Sequence, residues 1–364
     1  MIERIFNEVV AWVILGGIGV LAFLIGFLFK NNFKKSTDTE DPSWGDGALR
    51  GLEGFILAVI GALLARAFIS LLMGWANDSA GAGLAVGWGF FIVPGLVDTI
   101  PYLINSSPIL TSVDVLMMLA TVVGGVSGAF SGLWRIYEWV GLGWIAFPLD
   151  VTWALAGNTV GCLLHIINFA WAHHADEDRS NAHRYESGFC LKSGYAFTQG
   201  AVMSCLSDKP GVDRYPHELT HVLQDRIFGP MYTLTYLGWM VVWLIPSMIF
   251  AIFQVGFSNI FAGPEAWCYF NNPWEAWGYG VQHAQRDNIQ GQSAEVKKMV
   301  WSGGWVIAWS IVFFILSALL AVLVVKSVWI EASAKPAPTH VQGKSAPKSK
   351  PPAPPKKPAN PPHK

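Results

Sequence analysis

Charge is what this chain of 364 residues has least of: only 13% of its residues are Asp, Glu, Lys or Arg, about half the share of an ordinary soluble domain. With 52% hydrophobic residues and 18 Trp, so little charge cannot cover a water-exposed surface, and the composition points to an integral membrane protein. The formal net charge of −1 removes any electrostatic case for a nucleic-acid partner. Cysteine is scarce as well. Cys162, Cys190, Cys205 and Cys268 are scattered without a C-x-x-C, which excludes a disulfide framework and a thiolate metal site. Acidic residues are absent beyond Glu331, where the chain turns to Pro, Ala, Ser and seven lysines from Lys335 onward.

What the chain has instead is long apolar runs. Val9 to Phe29 is long enough to cross a bilayer and too long for the core of a signal peptide, so it reads as a retained first membrane helix. Gly51 to Met73, Leu84 to Ile104, Ser112 to Leu133, Leu149 to Trp171 and Trp301 to Val325 are further candidate spans, and Trp134 to Phe147 reads as an interfacial stretch. Met231 to Gly263 is apolar but interrupted by Pro246, too short for two full crossings, so a hairpin or re-entrant segment turning at Pro246 is expected, with one tilted crossing as the rival. The expected fold is thus a polytopic α-helical membrane protein of about 6–8 membrane segments. Gly124, Gly128 and Gly132 recur every four residues, a face on which another helix approaches closely. Arg66 lies deep in the second run, where a charge needs either a partner such as Asp98, Asp114 or Asp150 or a route to the interface.

Between the spans the composition turns polar. Residues 1–171 read as an N-terminal bundle, 172–230 as a polar insert, 231–263 as the hairpin, 264–299 as a second polar segment, 300–330 as the last span and 331–364 as a disordered, polyproline-prone tail. The tail's lysines suit an anionic surface or partner, or simply a solvated spacer. His173 to Arg179 is a His/Asp-rich collar without metal-ligand spacing.

The polar insert carries His217-Glu218-Leu219-Thr220-His221. On a helix the two histidines fall one turn apart on one face, so both imidazoles reach one Zn²⁺, and Glu218 stands beside them to take a proton from a water at the metal. Pro216 suits a first helical position and Gly229-Pro230 is a stop, while Gly194 to Ser204 reads as one or two short strands before the helix. A catalytic zinc site needs a third protein ligand. Glu275 is the candidate, with Glu265 and His283 in reserve, although Asn272, Pro273 and Glu275 also spell a helix capping box.

Strand, H-E-x-x-H helix, apolar hairpin and a later helix bearing Glu275 resemble, over residues 215 to 290, the integral-membrane gluzincin metallopeptidases of the CAAX-protease and heat-shock type. The resemblance implies a small α+β zincin-like insert, zinc on His217, His221 and Glu275, Glu218 as catalytic base, and a membrane-associated peptide as substrate. That group carries an Asp shortly after the third-ligand Glu to hold the first His; here Gly278 and Tyr279 stand there, and Asp225, one turn past His221, is the substitute expected. Lys30, Lys34, Lys35 and Arg50 place the first loop in the cytoplasm by the positive-inside rule. The expected location is a bacterial inner membrane with the site on the cytoplasmic side. A non-enzymatic membrane scaffold or partner subunit with a structural or vestigial motif is the alternative.

Overall fold

The computed structural model describes residues 9–34, 40–105, 108–171, 181–191, 195–206, 215–282 and 292–334. The expected collar at 173–179, the reserve ligand His283 and the lysine tail lie outside them. The chain is mostly helical, with one small sheet.

The amino-terminal half is held together by glycine. Helices α1 (Val9–Leu28), α2 (Trp44–Trp75, started by the Ser43 hydroxyl accepting from Asp46 N), α3 (Ala80–Val86), α4 (Val93–Asn105) and α5 (Val113–Trp134) form a bundle in which α2 lies against both α1 and α5. A side chain at Gly128 would come within 2.0 Å of the Leu57 carbonyl oxygen, and one at Gly61 within 2.3 Å of that of Gly124. The every-fourth-residue glycines of α5 therefore form the seam on which α2 rests, backbone against backbone, the contact that gives apolar helices affinity for one another where no hydrophobic drive exists. Arg66 is buried in this seam and donates to Thr121 Oγ1 (2.7 Å) and the Met117 carbonyl (3.3 Å). Two of the three carboxylates expected near it have other work: Asp98 accepts from Thr111 and Leu110, and Asp150 binds Arg226.

The run Leu84–Ile104 does not form one span. A π-helical turn at Gly87–Phe91 and a left-handed Ile92 (φ 59°) divide α3 from α4. Pro94, in the first turn of α4, disfavours a continuous helix through the residue before it, and Gly95 lets α4 fold back onto Trp88, whose indole donates to Thr99. Helices α6 (Gly143–Val151) and α7 (Leu155–Trp171) are bent by 90° across their break.

After α7 come three strands, β1 (His183–Arg184), β2 (Phe197–Gln199) and β3 (Val202–Ser204), in the order β1-β3-β2, with β1 parallel and β2 antiparallel to β3. Gly200 (φ 58°) makes the turn between β2 and β3, and Asn158 of α7 ties that turn down by accepting from Ala201 N. Helix α8 (Tyr215–Phe228) packs Val222 against Met203 of the sheet and ends at Gly229 (φ 53°).

Helix α9 (Pro230–Val255) runs unbroken through Pro246, so the hairpin does not turn there. In an apolar helix the carbonyl that proline frees is tolerated, and Ser247 bonds the nearby Leu244 carbonyl. The reversal comes at Gly256 (φ 88°), and the chain returns through short turns and a π-helical stretch, Glu265–Phe270, laid along α9. The return leg is pinned: Trp239 donates to the Trp267 carbonyl (2.8 Å), and Trp239, Trp243, Trp267, Trp301 and Trp309 pack ring against ring. It delivers α10 (Pro273–Val281) to the end of α9 next to α8, and α11 (Ala294–Met299) and α12 (Gly303–Ala334) follow.

Among the described residues four helices, α1, α2, α5 and α9, are long and apolar enough to cross a membrane, or five if α6 and α7 count as one bent span. Their outward side chains are large and apolar, Val13, Leu52, Val241 and Phe253 among them, which is the surface a bilayer requires. Gly128→Ala should destabilise the α2–α5 seam by about 1–3 kcal/mol through forced overpacking. Thermal unfolding in detergent checks this, with Gly74→Ala, where a methyl meets nothing within 4 Å, expected to leave the midpoint unchanged or slightly higher.

Candidate metal centre

Helix α8 starts at Tyr215, so Pro216 occupies its first turn, where a missing N–H costs nothing. The 3.6-residue period then stacks His217 and His221 on one face, both at most 5% exposed. Glu275 reaches the same point from the first turn of α10, itself 3% exposed. His217 Nε2 lies 3.1 Å from His221 Nε2 and 3.2 Å from Glu275 Oε2, and His221 Nε2 lies 3.4 Å from Glu275 Oε1. Ligands about 2.0–2.1 Å from a tetrahedral zinc stand about 3.3 Å apart. The three donors thus already hold the spacing of a tetrahedral face, and two imidazole nitrogens with converging lone pairs need a cation or a proton between them. The donor set fits zinc by geometry and by chemistry. Burial opposes charge on His221, yet the Glu275 carboxylate beside it lifts its pKa to about 9; burial likewise opposes charge on Glu275, and the two imidazoles hold it well below the usual carboxylate range.

Around the donors the supports differ from those expected. His221 Nδ1–H donates to Gln224 Oε1 (2.9 Å), which leaves Nε2 as the nitrogen with a free lone pair. Gln224, fully buried, in turn donates to the Trp274 carbonyl (3.1 Å) and so ties α8 to the helix that carries Glu275. Tyr236 of α9 donates to Glu275 Oε1 (2.7 Å). Asp225, expected as the substitute support, makes no hydrogen bond with either side-chain oxygen among the described residues. It faces α7, where a side chain at Gly157 would come within 2.2 Å of its Oδ2, away from the metal donors. His217 Nδ1 likewise has no hydrogen-bond partner among the described residues, and Gly278 and Tyr279 close over its ring, the latter with ring centres 4.4 Å apart.

Asn272 does cap α10, accepting from Trp274 N. The reciprocal half of a capping box is missing, because Asn272 N donates to the Tyr269 carbonyl and the Glu275 carboxylate is engaged with the histidines and Tyr236. Glu265 lies in the wall of the cavity beside the donors and is not one of them. That cavity, about 570 Å³, opens onto Glu218, His221 and Glu275; its wall is mainly apolar and aromatic, with Ile92, Val160, Phe197, Leu237 and Met240 among its members, and also carries Thr198, Gln199, Thr233 and Glu265. Glu218 is 6% exposed and accepts a hydrogen bond from Thr198 of β2 (2.5 Å).

No family model matches this chain, and no curated protein or solved structure matches it.

Sequence reasoning missed Gln224, Tyr236 and Thr198. Gln224 had a faint signal, lying three residues after His221 on the same helix; Tyr236 and Thr198 had none, since only the packing of α9 and β2 brings them in. Gln224→Leu should weaken zinc binding by about 10- to 100-fold, the usual cost of losing an outer support, read by competition with a chromophoric chelator. Asp225 yields a pH prediction. Burial raises its pKa well above 3.8, and the neighbouring Asp150 adds to this while Arg226 opposes it. The folded state therefore holds a proton that the unfolded chain releases near the ordinary value, so this residue's contribution is complete at low pH and is lost as pH rises from about 3.8 through the raised folded pKa. Asp225→Asn should raise the unfolding midpoint relative to the native chain above the ordinary carboxylate range and flatten its fall as pH rises from about 3.8.

Proposed function

We propose that this chain is a membrane-embedded zinc metallopeptidase that hydrolyses peptide bonds of membrane-associated substrates. The observation that carries the reading is the convergence of His217, His221 and Glu275 at ligand spacing, with Glu218 in the wall of an apolar cavity beside them. Zinc bound there supplies Lewis acidity, polarising the scissile carbonyl and bringing the pKa of a water close to neutral. The rest is done by the chain's own groups. Glu218 accepts a proton from the attacking water as its oxygen adds to the carbonyl carbon, and passes that proton to the amide nitrogen as the C–N bond breaks, leaving a carboxylate and an amine. Gln224 and Tyr236 hold His221 and Glu275 in place, and the low-dielectric walls strengthen each of these interactions.

The walls support a substrate class. Thr233, Tyr236, Leu237 and Met240 form one stripe along α9 that lines the cavity, and Val160 contributes from α7. A large apolar residue next to the scissile bond, in a peptide at or in the bilayer, fits such a slot better than a charged one. The lysines at 30–35 favour a cytoplasmic first loop, and with it the reading of a bacterial inner-membrane protein whose site faces the cytoplasm. The rival reading, a scaffold with a vestigial site, draws on the want, among the described residues, of a carboxylate behind His217.

Glu218→Gln separates the two. It preserves size and helix propensity and removes the base, so zinc content and fold should persist at about one metal per chain while turnover drops by about 10²- to 10⁴-fold. His221→Ala should lose zinc and activity together. Membrane-protein fragments compared between cells carrying the native chain and Glu218→Gln provide the readout; identical fragment profiles favour the scaffold.

A further inference from the structure

The register of the small sheet decides which side chain meets Glu218. In the antiparallel β2–β3 pair Thr198 stands opposite Met203, and cross-strand neighbours share a face. Met203 packs against Val222 of α8, so that face looks at the helix. Glu218 precedes Val222 by one helical turn and lies on the same side of α8. Thr198 therefore arrives opposite Glu218, and its hydroxyl donates to Glu218 Oε2 at 2.5 Å, with Thr198 7% and Glu218 6% exposed. A slip of one residue would present Phe197 or Gln199 instead.

A carboxylate on a flexible side chain at the wall of a cavity has several rotamers. From this geometry we propose that Thr198 is a positioning residue for Glu218: by occupying Oε2 it fixes the plane of the carboxylate and leaves Oε1 to act in the cavity. The inference rests on the metallopeptidase reading, in which Glu218 is the base. The hydroxyl's hydrogen bond is to Glu218, and its effect on the site passes through that carboxylate. The strand that carries it is also the cavity wall, since Phe197, Thr198 and Gln199 all line it.

The experiment uses the full-length zinc-loaded protein in detergent and reads binding of two small probes. Acetohydroxamate chelates zinc and donates a hydrogen bond to a neighbouring carboxylate; 2-mercaptoethanol takes the metal alone. Thr198→Val, which removes the hydroxyl at nearly constant volume, should keep its zinc and its mercaptoethanol affinity and bind acetohydroxamate about tenfold more weakly, the scale of one charged hydrogen bond. Thr198→Ser should restore acetohydroxamate binding to within about twofold of the native chain, since it keeps the donor. If Glu218→Gln weakens acetohydroxamate and Thr198→Val does not, the positioning role is overturned while the base remains. If neither variant changes it, the reading of Glu218 as base falls, and this inference with it. Loss of zinc from Thr198→Val would assign Thr198 to assembly of the site and overturn positioning.

Discussion

Everything in the site depends on one meeting, that of Glu275 with His217 and His221. Three buried polar groups in a chain this apolar are expensive to desolvate unless each satisfies the others. Here the carboxylate spans both imidazoles at 3.2 and 3.4 Å and takes a further hydrogen bond from Tyr236. His217 and Glu275 lie 58 positions apart along the chain, so the fold between them must return to its starting point. Helix α9 and its antiparallel return leg accomplish this, with the turn at Gly256 and the tryptophan cluster as the fastening.

The same economy governs the amino-terminal half. Apolar helices in a bilayer gain little from hiding apolar surface from one another, so they associate through close backbone approach. The α2–α5 seam is that approach, and it gives Arg66 a place to bond carbonyl and hydroxyl oxygens where lipid would offer none. Helix α7 then serves both halves. It packs on the bundle, and through Asn158 it anchors the β2–β3 turn that sets where Thr198 falls relative to Glu218. The position of the Glu218 carboxylate and the packing of the apolar helices are thus mechanically connected through one asparagine.

The residues themselves determined a good deal. The apolar runs, the H-E-x-x-H spacing, the proline start and glycine stop of its helix and the strands before it are local properties, and local periodicity is enough to read them. The glycine repeat of α5 was legible for the same reason. Tertiary structure decided what depends on neighbours distant in sequence. Pro246 reads as a break, yet lies inside a helix, because tolerance of a freed carbonyl is a property of surroundings; the run at 84–104 reads as one span and folds as two helices, because Trp88 and Gly95 meet across a π-turn. Asp225 sits at the spacing of a support for His221 but faces α7, while Gln224, Tyr236 and Thr198 arrive from packing, rotamer choice and strand register. One-dimensional spacing fixes which groups share a helix face; which groups face each other across helices and strands is fixed only when the return leg and the sheet have closed around them.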